Sequence, residues 1–81
     1  MKNYCCKLSE LPLMTEAAII RVGTDSALTR RMAQLGIARG ERITPVFKSP
    51  FGDPVAYNIK GCVVALRKAD CKTIEVGVEV K

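Results

Sequence analysis

The sequence predicts a mainly β protein, a small β-barrel that carries one or two short helices. Three observations support this prediction. Short segments that read as strands outnumber the single segment with clear helical spacing. Glycine and proline turn signals separate these segments, so the connections between them are short. A flat sheet of short strands would leave one face bare, and closure into a barrel removes that problem.

The composition indicates one soluble domain with a mildly basic surface. The chain has 81 residues, of which 48% are apolar, enough for one core. Thirteen Lys and Arg against 8 acids give a net charge of +5, and these cations are scattered. A solvated cationic surface explains this charge, and an anionic partner or nucleic acid is the functional alternative. No apolar run approaches the ~20 residues of a membrane span, so the protein is predicted to be cytoplasmic and not membrane-embedded.

The first 15 residues, 1–15, are predicted to be an N-terminal lead-in, and residues 16–81 the barrel domain. Pro12 prevents a continuous helix in the lead-in. We expect residues 1–7 to be a partly ordered tail. The alternative is an extended arm that lies across the barrel.

The first regular elements are a strand over 17–22 and a helix over about 27–35. The helix carries an apolar stripe at positions i, i+4 and i+7, which covers one opening of the barrel. This stripe consists of Leu28, Met32 and Leu35. Gly36 is expected to adopt the left-handed conformation that ends many helices. Ile37 then folds back on Met32.

Two strands flank a tight turn in the middle of the chain. The second strand spans about 41–48, and Pro45 places it at an edge of the sheet or at a bulge, because proline has no amide hydrogen. An open edge there would allow self-association with a second copy. Proline and glycine in residues 49–53 predict the tight turn, and the third strand follows over about 54–60.

The last third of the chain is less uniform. Residues 62–66 are a short apolar run that periodicity alone cannot assign to strand or helix. Residues 67–72 predict one helical turn. The final strand, over 73–80, alternates apolar residues with Thr, Glu and Gly.

The residue types argue against an enzyme. The chain has no histidine, its acids are dispersed, and no phosphate-binding loop is present. The four cysteines, expected to be reduced thiols, are Cys5, Cys6, Cys62 and Cys71. A soft metal at Cys5 and Cys6 would need a third ligand from elsewhere. We therefore predict no catalytic residues, no cofactor and no metal site.

Four segments in this order and spacing resemble the FeoA family. They are LGIARGE at residues 35–41, SPFGDP at 49–54, VALRKA at 64–69 and IEV at 74–76. The resemblance covers roughly residues 16–80. It implies an SH3-like barrel and a non-enzymatic cytoplasmic accessory of ferrous iron uptake. That role involves protein–protein contact with FeoB, a membrane permease. At family level it also implies an association with transition metal ions.

The same resemblance extends to the C-terminal module of iron-dependent repressors, which gives an alternative interpretation as a regulator's interaction module. A barrel that binds nucleic acid is a second alternative, although few aromatic residues are present to stack on bases. No nucleic acid is expected as partner. Nothing in the residues themselves points to iron, so we interpret the protein as acting on iron through its partner.

Turn and helix residues are the predicted partner contacts. Phe51, which follows Pro50 in the tight turn, is the first candidate, and the alternative is that its ring folds back onto the core. Leu28 and Arg31 on the helix are the second. For Leu28 the alternative is a core position, and for Arg31 it is an ordinary solvated charge.

Overall fold

The computed structural model describes residues 2–23, 26–34 and 36–80, and for residues 2, 3, 26, 28, 29 and 80 it describes the backbone only. Within these residues the chain forms six strands and two short helices, which confirms the predicted mainly β class. The strands are β1 Lys2–Lys7, β2 Ala17–Arg21, β3 Arg42–Lys48, β4 Val55–Ile59, β5 Cys62–Leu66 and β6 Glu75–Val80. The helices are α1 Ser26–Gln34 and α2 Lys68–Cys71, and a 3-10 turn spans Leu8–Glu10.

All six strands belong to one antiparallel sheet with the order β1-β6-β2-β3-β4-β5. The buried apolar side chains form one cluster, to which the strands, both helices and the 3-10 turn contribute. Its largest fully buried members are Tyr57, Leu8, Ile19, Met32, Ile43, Leu66, Ile74 and Val76. The sheet therefore has two end strands, β1 and β5, around a single core.

The lead-in is part of this sheet. β1 pairs with β6 along its whole length, from Lys2↔Val80 to Lys7↔Glu75. The expectation of a partly ordered tail is wrong over residues 2–7, because β6 offers a hydrogen-bonding edge that local sequence does not reveal. These residues are extended, as in the alternative of an extended arm. After β1, the Leu8 amide donates to the Ile74 carbonyl at 2.8 Å, and the Leu8 side chain is fully buried.

The end of α1 confirms the predicted glycine cap. Gly36 has a φ of +77°, and its amide donates to the Ala33 carbonyl at 3.0 Å. The Ile37 amide reaches the Met32 carbonyl at 2.9 Å, and both of these side chains are buried. These two bonds with their apolar contact form a Schellman motif. Leu35 and the side chain of Leu28, the rest of the predicted stripe, lie outside the described residues.

β3 is an internal strand, so the predicted edge at Pro45 is wrong and the alternative, a bulge, is confirmed. The strand pairs with β2 on one side and with β4 on the other. Its register with β4 shifts between Pro45 and Phe47, and this irregularity accommodates the proline. The Met14 amide donates a hydrogen bond to the Pro45 carbonyl at 2.7 Å, so this carbonyl has a partner within the chain. β3 is therefore not an end strand, although its pairing with β2 covers only Arg42 and Ile43.

The apolar run 62–66 is the strand β5. Lys60 and Gly61 both have positive φ, +54° and +81°, which is typical of a two-residue hairpin turn. This turn reverses the chain after β4, so that Ile59 pairs with Cys62. The helical turn predicted after this run is α2.

Candidate interaction surface

The turn between β3 and β4 exposes an aromatic ring. The Gly52 amide donates to the Ser49 carbonyl at 2.8 Å, and Gly52 has a φ of +80°. Phe51 sits at the outer position of this turn and is 97% exposed, and Pro50 beside it is exposed as well. The ring is therefore not folded onto the core, and the role of Phe51 as a partner contact stays a prediction.

The same turn is tied to the start of α2. Asp53 Oδ1 accepts a hydrogen bond from the Lys68 amide at 2.9 Å. Arg67, the residue before the helix, makes no side-chain cap, so Asp53 supplies the acceptor from a distant loop. Because Val55 pairs with Leu66, the turn and the start of α2 are neighbours across the sheet. Phe51 is thus carried by an anchored turn.

Arg31 joins α1 to the same end of the molecule. Its Nη1 lies 3.7 Å from Asp70 Oδ2 of α2, and its Nη2 donates to the Ala65 carbonyl of β5 at 3.5 Å. Its side chain is half exposed. Arg31 therefore contacts α2 and β5 while it stays accessible, and its role as a partner contact stays a prediction.

An apolar patch, which sequence reasoning missed, lies on the outer face of β3, β4 and β5. Phe47 is opposite Ala56, and Ala56 is opposite Ala65, so these side chains form one row across three strands. Phe47 is 61% exposed and Val63, two residues before Ala65, is 67% exposed. We call Phe47, Ala56, Val63 and Ala65 the outer patch.

The sequence feature that could have indicated an outward side chain at Phe47 is the possible bulge at Pro45. Simple alternation placed Phe47 on the same face as Ile43, which is buried. The irregular register after Pro45 turns Phe47 outward instead. The exposure of Val63 could not be predicted, because periodicity alone assigned residues 62–66 to neither strand nor helix.

Cations border the outer patch at one end. Lys48 pairs with Val55 at the end of the β3–β4 ladder, and Arg67 and Lys68 follow β5 directly. All three are exposed, and none of them takes part in an ion pair in the part of the chain that the structure describes. Asp53 and Asp70 are the nearby acids, and both have a partner within the chain.

The buried titratable groups belong to the core. The Cys71 thiol donates to the Tyr57 hydroxyl at 3.4 Å, and burial raises the pKa of both groups. Both therefore stay protonated at neutral pH. Among the described residues, no group of three or more His, Cys, Asp and Glu could hold a metal ion. None of the described helices has the length and apolar character needed to cross a membrane.

Known proteins resemble this chain in sequence and in architecture. The FeoA domain model matches residues 6–78. A Porphyromonas gingivalis protein named as a fusion of Fe(2+) transport protein A and Fe(2+) transporter FeoB is 39% identical over 70 residues. That match covers 86% of this chain and 8% of the fusion protein, so the chain spans only a small part of that relative.

Two solved structures show the same fold. The crystal structure of Stenotrophomonas maltophilia FeoA with zinc, described as a prokaryotic SH3 domain protein, is 35% identical with a TM-score of 0.76, and the match covers 88% of each chain. A manganese-dependent transcriptional repressor is 18% identical with a TM-score of 0.85, covering 98% of this chain and 44% of the repressor. The repressor shares the fold alone. The chain belongs to the FeoA domain family, which is associated with ferrous iron transport, and its SH3-like fold is as predicted.

Proposed function

We propose that this protein is a non-enzymatic, cytoplasmic accessory of ferrous iron uptake that acts by binding a FeoB-type permease. The observation that carries the proposal is the Porphyromonas gingivalis relative, whose name joins a Fe(2+) transport protein A to FeoB in one chain. Fusion keeps two modules at a high effective concentration without any new contact. Where the two modules are not fused, the domain needs a binding surface of its own to achieve the same association.

The exposed turn supports this proposal. Aromatic residues are enriched among the few side chains that dominate binding energy at protein interfaces. Phe51 is almost fully exposed, and its turn is anchored through Asp53. Little conformational freedom of the turn would therefore be lost on binding. The proposed contacts are Phe51, Pro50 and Arg31, together with Leu28, whose side chain lies outside the described residues.

Several features support a non-enzymatic role. The chain has no histidine, and the strongly shifted Tyr57 lies in the core beside Cys71 with its proton held. Arg21, Arg42 and Lys60 form exposed ion pairs, which are ordinary surface contacts. The likeness to the repressor concerns fold alone, so it favours no second function.

The test is binding of the protein to the full-length FeoB-type permease encoded in the same genome, purified in detergent micelles. We expect Phe51→Ala to weaken the affinity by about 1–3 kcal/mol, roughly 5- to 150-fold, in calorimetry. Tyr4→Ala is the matched control, because Tyr4 is an exposed aromatic on β1, the opposite end strand of the sheet.

Three results would count against these statements. If the unmodified protein shows no affinity for the permease, the proposed function is wrong. If it binds and Phe51→Ala binds equally well, the function stands, but Phe51 is not an anchor. A loss of affinity in Tyr4→Ala alone would move the contact surface to the other side of the sheet.

A further inference from the structure

We infer that the free edge of β5 binds an extended segment of the permease partner, which adds to the sheet as a further strand. This inference rests on the proposed function and specifies where and how the contact forms. β5 is an end strand, and among the described strands it pairs with β4 alone. No described strand pairs with its second side, where the Ala65 carbonyl accepts a hydrogen bond from Arg31 Nη2 at 3.5 Å that an added strand would replace.

The hairpin geometry fixes which backbone groups point to that open side. Ile59 and Cys62 close the two-residue turn, so this pair exchanges hydrogen bonds. Hydrogen-bonded and non-bonded pairs alternate along an antiparallel ladder. The N–H and C=O groups of Val63 and Ala65 therefore point away from β4. The hydrogen bond from Arg31 to the Ala65 carbonyl agrees with this direction.

The edge also lacks the features that usually prevent strand addition. Natural end strands carry charged residues, proline or a bulge on their exposed side. β5 has the sequence CVVAL, without charge or proline, and it pairs with β4 in continuous register. Val63 and Ala65 are both exposed, and both belong to the outer patch. An added strand would thus gain backbone hydrogen bonds and apolar contacts together.

The surrounding charge indicates the chemistry of the added segment. Arg67 and Lys68 directly follow β5, and Lys48 lies at the same end of the sheet on β3, with β4 between. A second copy of the chain would bring the same cations and another net charge of +5 to the contact, which is unfavourable. An extended partner segment that alternates apolar residues and carries Asp or Glu at one end fits both the edge and its border.

The test compares two substitutions at one position in binding to the detergent-solubilised permease. Val63→Pro removes the outward amide hydrogen, and end strands tolerate proline where the N–H faces solvent. Val63→Ala, the control, removes the side chain and keeps the amide. We expect Val63→Pro to bind at least tenfold more weakly than Val63→Ala. In the unmodified protein, permease binding should slow amide hydrogen exchange at Val63 and Ala65 at least tenfold.

The outcomes separate this inference from the proposed function. No binding by the unmodified protein would overturn both. Binding with equal affinity in Val63→Pro and Val63→Ala, without slower exchange at Val63 and Ala65, would overturn the inference alone. If Val63→Pro fails to fold, the exchange measurement decides. A dimer of the isolated protein in sedimentation experiments that Val63→Pro dissociates would assign the edge to a second copy and overturn the inference.

Discussion

The two end strands of the sheet, β1 and β5, differ in the charge that their sequences carry. β1 begins and ends with lysine, and it completes the sheet beside β6. β5 carries no charge, and its outward side chains are exposed and apolar. Charge on an end strand prevents further pairing, whereas an uncharged end strand invites it. The comparison favours β5 over β1 as the end strand to which the proposed partner segment adds.

The surroundings of the two strands extend this contrast. β1 leads into a turn in which the Lys7 amide donates to Glu10 Oε1 at 3.0 Å, and Leu8 then enters the core. β5 leads into α2, whose first amide is capped by Asp53 from the turn that carries Phe51. Both end strands therefore lead into the core, through Leu8 after β1 and Leu66 at the end of β5, and β5 is in addition linked to the exposed turn through Asp53.

The largest expected effect is at Leu8, the core residue that directly follows β1. Leu8→Ala should lower the free energy of unfolding by about 2–5 kcal/mol, because the Leu8 side chain is fully buried and its truncation leaves a cavity. Val63→Ala on β5 should cost less than about 0.5 kcal/mol, because Val63 is largely exposed. Urea unfolding of both variants gives the measurement. Equal losses in the two variants would remove the contrast.

A smaller effect is expected at the link between α2 and the exposed turn. Asp53→Ala should cost about 1 kcal/mol, the usual effect of losing a side-chain cap. Asp53→Asn is the control, because its carbonyl oxygen can still accept the Lys68 amide hydrogen. Thermal unfolding should place the Asn variant close to the unmodified protein. If both variants unfold at the unmodified temperature, the turn is not held by this bond.

Much of the fold could be predicted because its signals are local. Gly36 after an amphipathic segment, alternation in β4 and β6, and the turn before β4 are each encoded within a few residues. β1 could not be predicted, because KNYCCK has no apolar alternation and becomes a strand only beside β6. The place of a strand within the sheet is likewise a tertiary property, so Pro45 allowed an edge as well as a bulge.

The surface was predictable only in part for the same reason. Pro50 and Gly52 predicted a tight turn with Phe51 at its centre, but they left open whether the ring folds back onto the core, and the structure shows it exposed. To predict the exposure of Phe47 one needs the bulge, and to predict that of Val63 one needs to know that β5 ends the sheet. No local pattern shows which strand has only one neighbour. The sequence therefore indicated a candidate aromatic residue in the turn but not the end strand beside α2.

The chain carries its own probes for the comparison of the two end strands. Cys5 lies on β1 and Cys62 on β5, and both thiols are exposed. Cys71 is buried, and burial raises the pKa of its thiol, so it serves as an unreactive internal reference. Alkylation by N-ethylmaleimide, read by mass spectrometry, therefore reports on both strands in one sample.

This alkylation, carried out with and without the purified permease, tests the central claim most directly. If the partner occupies β5, permease binding slows the modification of Cys62 and leaves the rate at Cys5 unchanged. If the permease binds while Cys62 reacts at its free rate, or if Cys5 is the protected thiol, the open edge of β5 is not the docking site.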